Sequence, residues 1–210
     1  MLNRNPRRDD PADAALRWPA RAAIAVTAVV LLLGFAPVTA AAAATRRIAV
    51  PDAPATPAGR AIAALVGDRP VDTLRILPDR FRARTGYTPV VLDGRPAAPH
   101  GDCSSPVPLP SRFENACRAH DFGYDLLRYG AATGRPAGDW ARPALDAMLV
   151  DDMHAACAGD AGCDTAAEAA RTALSVNTWR QRFGPPTAET TAEIAVTYLA
   201  RLTETLGGPL

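Results

Sequence analysis

His120 and Asp121 stand side by side in the run Cys117-Arg118-Ala119-His120-Asp121-Phe122-Gly123-Tyr124. An imidazole titrates near neutral pH, so it can take a proton from water. A carboxylate is a hard oxygen donor that suits a calcium ion. Ester hydrolysis by activated water needs a base, a group that orients the base, and a positive site for the developing oxyanion. His120 fits the first role. Asp121, through a calcium ion that polarises the ester carbonyl, fits the third. Asp146, 26 residues beyond His120, fits the second: it could accept the other imidazole N–H and hold the tautomer. Asp151 and Asp152 are the runner-up carboxylates, expected to be solvated. His100 and His154 are expected to be structural or exposed.

These side chains need helices to hold them. Ser111 follows Pro110, and Glu114 comes three residues later, the pattern of a capping box. It predicts a helix from about Arg112 to Tyr129 that stops at Gly130. At ~100° per residue, Phe113, Cys117 and Tyr124 share one stripe, with His120 about 60° to one side of Cys117 and Asp121 about 40° to the other. The imidazole and the carboxylate therefore aim at different neighbours. Tyr124 is expected in the core with its hydroxyl tied to a carboxylate. A second helix, with Pro143 in its first turn, is predicted to reach about Ala158. Asp146, Val150, Met153 and Cys157 share one face of it. A carboxylate in an apolar stripe needs a partner, and His120 on a facing antiparallel helix is the natural one.

The rest of the chain is read more coarsely. All 23 basic residues are Arg, and the formal charge is +1. That balance gives no electrostatic case for nucleic acid. Residues 1–45 combine five Arg with an apolar run from Ala22 to Ala36, then Pro37 and small residues. This reads as a secretory signal peptide or, over residues 22–44, a membrane anchor with the domain outside. Residues 46–95 read as a linker and short helices, at Ala58–Val66, at Pro70–Leu77 and around Phe81, which cover the core. Thr88–Leu92 is a β-like run closed by Asp93-Gly94. Pro96–Pro110 reads as a loop, and residues 96–184 as the catalytic domain. Thr165–Phe183 is predicted helical, and a last helix, Thr190–Leu206, falls in a C-terminal segment of residues 185–210. The four cysteines, Cys103, Cys117, Cys157 and Cys163, allow three pairings. No Cys-x-x-Cys supports zinc, and no Gly-x-Ser-x-Gly supports a serine hydrolase.

Cys103-Ser104-Ser105-Pro106, followed by Phe113-x-x-Ala116-Cys117-x-x-His120-Asp121-Phe122-Gly123-Tyr124, resembles the secreted phospholipase A2 family of bacteria and fungi. Cys117-x-x-His120-Asp121 is also the element shared with animal secreted phospholipases A2. The resemblance is specific there and runs loosely over residues 95–165. It implies an all-α fold: a phospholipase A2-like core of two antiparallel helices, short flanking helices and two disulfides, Cys103–Cys117 and Cys157–Cys163. It implies calcium-dependent hydrolysis of the sn-2 ester of a glycerophospholipid at a membrane or micelle surface. His120 and Asp146 would be the catalytic pair, and Asp121 a calcium ligand.

In one place the chain departs from the family. The family supplies a carboxylate two residues before the first motif cysteine, where this chain has Gly101, and Asp102 follows it. Successive side chains of an extended loop point in opposite directions, but Gly101 can adopt conformations closed to other residues. Asp102 is expected to share a weakly held calcium ion with Asp121. The departure keeps a second reading open, a catalytically silent secreted lipid- or protein-binding module of the same fold.

Overall fold

The computed structural model describes residues 48–105 and 107–207. The signal or anchor expected over residues 1–45 lies outside them. Among the described residues no helix is long and apolar enough to cross a membrane. They are mostly helical, with a single two-stranded sheet.

Helix α1 is Pro57–Val66. The Thr56 hydroxyl caps it by accepting from the Gly59 N–H, and Ala58, Ala61, Ile62 and Leu65 form its buried stripe. A 3-10 turn, Pro70–Arg75, and a short helix α2, Phe81–Thr85, follow. Strands β1, Val90–Leu92, and β2, Arg95–Ala97, pair antiparallel around Asp93-Gly94. Both turn residues have positive φ, as a two-residue hairpin of this hand requires. Strand β2 thus occupies the start of the stretch read from sequence as a loop.

The capping box expected at Ser111 does not form. Ser111–Phe113 is a 3-10 turn with no side-chain cap, and Glu114 pairs with Arg118 instead, at 3.4 Å. Helix α3, Glu114–Ala132, then runs past Gly130. A Cβ at Gly130 would stand 3.0 Å from the Ala58 Cβ, so this glycine serves close packing against α1. The chain turns at Thr133-Gly134, where Gly134 has φ +67°.

Helix α4 is Ala141–Cys157 and helix α5 is Ala161–Arg180. Helix α5 starts earlier than its expected Thr165 because the Asp160 carboxylate accepts the N–H groups of Gly162 and Cys163. It ends before Arg182 and Phe183, both at positive φ. Helix α6, Thr191–Leu206, carries a capping box, Thr190 with Glu193.

Helix α4 packs against both α3 and α5, and α1 packs on α3 and α4. One core cluster joins Ile62, Leu65, Phe81, Phe122, Leu126 and Leu145. The helices of residues 57–85 therefore complete the core around α3, as expected. The second cluster joins Phe113 and Cys117 to Val150, Met153, Cys157 and Ala167. Gly123 meets Leu145 and His120 meets Asp146, while Phe113 and Cys117 lie with Val150 and Met153. Helices α3 and α4 are thus antiparallel. The disulfides are Cys103–Cys117 and Cys157–Cys163, the local pairing. Closing a loop of about 15 residues contributes ~3 kcal/mol on the chain-entropy account.

Candidate active site

His120 and Asp146 meet between α3 and α4, with Nε2 2.9 Å from Oδ1. Both residues are buried, His120 at 6% exposure and Asp146 at 8%. Gly123 permits this approach: a Cβ there would stand 2.3 Å from Leu145 Cδ2, so α3 and α4 could not close as tightly around a larger residue. The Tyr124 hydroxyl donates to the same Oδ1 at 2.6 Å, and its ring lies 3.9 Å from the imidazole between centroids. Burial, reinforced by the neighbouring Asp146 carboxylate, raises the Tyr124 pKa, so the phenol stays a donor. Asp146 Oδ2 accepts from Thr178 Oγ1 at 2.5 Å. Asp146 thus meets three side chains, His120, Tyr124 and Thr178. With Nε2–H directed at Asp146, the lone pair lies on Nδ1, the nitrogen left to take a proton.

Asp121 projects to the other side of α3, toward the loop before Cys103. Its Oδ2 accepts the backbone N–H of Asp102 at 3.0 Å. Gly101 presses on it, since a Cβ at residue 101 would lie 2.6 Å from that same oxygen. The Asp102 carboxylate accepts the Ser104 hydroxyl at 3.2 Å, so it is the amide of Asp102 that touches Asp121. Partial burial raises the Asp121 pKa against the lowering effects of the Asp102 N–H and His120, and the charges of Asp125 and Asp102 add smaller raising effects. Among the described residues no Arg forms an ion pair with Asp121. This excess of negative charge, presented on hard oxygens, fits a calcium ion in donor chemistry. No group of three or more His, Cys, Asp or Glu side chains gathers among the described residues. A calcium ion at Asp121 would therefore need ligands beyond clustered side-chain carboxylates.

The other candidates take different places. Asp152 is not solvated but pairs with Arg95, whose Nε lies 2.8 Å from Oδ2 and Nη2 2.9 Å from Oδ1. Asp151 is exposed, 4.0 Å from Arg171. His154 bridges Asp164 at 2.8 Å and Glu168 at 2.7 Å, and His100 is exposed. A cleft of about 320 Å³ opens over Ala116 and Ala119 of α3, Ala155 of α4, and Arg95. Neither His120 nor Asp146 lines it.

Two buried residues at this site were not expected from the sequence. Thr178 continues the buried side of α5 marked by Cys163 and Ala167. The signal was a hydroxyl in an apolar stripe. Arg142, one turn before Asp146, is fully buried. Its guanidinium lies 5.4 Å from the Tyr124 ring centroid.

No protein-family model, curated protein or solved structure matches the chain.

Proposed function

We propose that the protein is an exported phospholipase A2-like hydrolase. It would cleave the sn-2 ester of glycerophospholipids at a membrane or micelle surface, giving a lysophospholipid and a fatty acid. The observation that carries this reading is the His120–Asp146 contact, with its bond at Nε2. Asp146 fixes the ring and its tautomer. Nδ1 takes a proton from water as the water oxygen attacks the ester carbonyl carbon. The imidazolium then returns that proton to the leaving sn-2 oxygen as its bond to the acyl carbon breaks. Tyr124 and Thr178 hold Asp146 in place. Asp121, with Asp102 as a second carboxylate, would hold a calcium ion, which when bound supplies positive charge for the oxyanion.

The antiparallel α3–α4 pair and its two disulfides support the same reading of the fold, a phospholipase A2-like core. Disulfides also suit an oxidising compartment, and a signal or anchor over residues 1–45 would deliver the chain there.

The test is release of lysophospholipid from phosphatidylcholine micelles by the protein expressed from the full chain, with calcium and with a chelator. His120→Ala is the control. Release that needs calcium and falls by about 10²–10⁴-fold in the variant is the expected result. Undiminished release by the folded variant refutes the role of His120.

One observation favours a second reading. The Gly101-Asp102 loop closes on Asp121 with an N–H group, where a cation needs oxygen. A silent lipid- or protein-binding module of the same fold would tolerate that closure, and would bind micelles without releasing lysophospholipid.

A further inference from the structure

We infer that Thr178 is a positioning residue for the His120–Asp146 pair, so that the end of α5 belongs to the working site. This inference rests on the proposed hydrolase for its kinetic consequences, though not for its geometry.

The two oxygens of Asp146 are served unequally. Oδ1 takes both His120 and Tyr124, and Oδ2 takes Thr178. Two donors on one oxygen leave the carboxylate plane free to swing about its Cβ–Cγ bond. A donor on the second oxygen fixes that plane. The lone-pair direction at Oδ1, and so the aim of the imidazole, follows from it. Thr178 is 4% exposed, so water does not compete for its hydroxyl.

A helical threonine commonly donates to the carbonyl one turn back. Thr165 and Thr172, in the same helix, do this with Ala161 and Glu168. The Thr178 hydroxyl instead crosses to α4 and meets Asp146. Its place is held from both ends of the helix pair. The Cys157–Cys163 disulfide ties the end of α4 to the start of α5. At the opposite end Arg142 Nη1 donates to Gln181 Oε1 and to the Gly184 carbonyl, each at 2.8 Å. Among the described residues Arg142 Nε and Nη2 have no hydrogen-bond partner, and the guanidinium is within cation–π reach of the Tyr124 ring. The buried cation therefore pins the chain just beyond Thr178 and sets its charge against the Tyr124 ring.

The experiment compares Thr178→Val, which keeps the shape and loses the hydroxyl, with Thr178→Ser, which keeps the hydroxyl. Both are made in the full chain. The first readout is the tautomer of the His120 ring at fixed pH, read from its ring 15N shifts by NMR, which needs no turnover. With the Asp146 plane released, the single Nε2–H form should give way to mixed tautomers in Thr178→Val and return in Thr178→Ser. The second readout is kcat against KM for phospholipid hydrolysis. Thr178→Val should lower kcat by about tenfold or more with KM unchanged; Thr178→Ser should restore it. An unchanged His120 tautomer in folded Thr178→Val overturns the inference, even if stability falls. So does a change that Thr178→Ser fails to reverse. If the wild type proves inactive, the hydrolase reading fails and the tautomer alone still decides the role of Thr178. Should Thr178→Val fail to fold, Thr178→Ala is read against the same outcomes.

Discussion

Gly101 lies against the carboxylate of Asp121 so closely that any side chain at residue 101 would stand 2.6 Å from Oδ2. The same stretch delivers the Asp102 N–H to that oxygen, and Arg118 Nε reaches back to the Gly101 carbonyl at 3.1 Å. The loop is therefore clamped to α3 by main-chain groups as well as by the Cys103–Cys117 disulfide. Gly101→Ala should force the loop off Asp121. The cost should be about 1–3 kcal/mol, as for overpacking elsewhere. Urea unfolding of wild type and variant measures it. An unchanged midpoint would mean that the loop yields freely and that the contact is loose.

Asp146→Asn should separate the base from the ion. The variant sets an amide NH2 among groups that donate to the wild-type carboxylate, His120, Tyr124 and Thr178. At least one donor loses its partner, and the tautomer of His120 is no longer fixed. Hydrolysis should fall by about 10²–10⁴-fold. Calcium affinity should hold, because Asp121 faces another neighbour. A rate measurement and a calcium titration on one preparation check this. Weakened calcium binding with unchanged turnover at saturating calcium would refute the assignment of Asp146.

The His120–Asp146 pairing was legible because both residues lie on long helices. A periodicity of 3.6 residues fixes which face each side chain occupies, and an antiparallel neighbour does the rest. The apolar partners of Asp146, Val150 and Met153, are indeed buried. Thr178 was not legible, since its hydroxyl has two possible acceptors. Only the tertiary register of α5 on α4 decides between its own helix backbone and Asp146. Gly130 was misread as a stop for a similar reason. A glycine that ends a helix and a glycine that admits a neighbour look alike in sequence, and the contact with Ala58 is what distinguishes them. The pairing of Asp152 with Arg95 depends on where the hairpin lands on α4, which no local pattern records.

His154 provides a prediction in pH. Its ring faces Asp164 through Nδ1 and Glu168 through Nε2, and Arg171 shares Glu168. The two carboxylates raise the His154 pKa through hydrogen bonds, Asp164 first, and the Glu168 pKa is lowered in return. A base with a raised folded pKa stabilises the fold fully below its ordinary value. That contribution is lost as pH rises through the folded value. The melting temperature of wild type should therefore exceed that of His154→Gln at mildly acid pH. The gap should close as the solution becomes alkaline and shrink in high salt, because the cluster is partly exposed. A gap that widens with pH would mean that the bridge is made by the neutral ring.

The last prediction concerns the calcium ion and ranks its two carboxylates. Asp121 is partly buried and, among the described residues, has no Arg in ion-pair contact. The Asp102 carboxylate already holds the Ser104 hydroxyl, and only its amide reaches Asp121. Losing the Asp121 charge removes the donor around which any site must form. Losing the Asp102 side chain leaves that donor in place. Calorimetry should therefore find Asp121→Asn weakened in calcium affinity by more than tenfold. Asp102→Ala should bind more weakly than wild type, but more tightly than Asp121→Asn. Equal affinity in wild type and Asp102→Ala would remove Asp102 from the ligand set. Equal affinity in wild type and Asp121→Asn would place the ion elsewhere and detach it from the His120 site. Wild-type protein that binds no calcium and releases no lysophospholipid, while still binding micelles, would favour the silent module. The Asp102 N–H on Asp121 would then be a permanent closure of the loop.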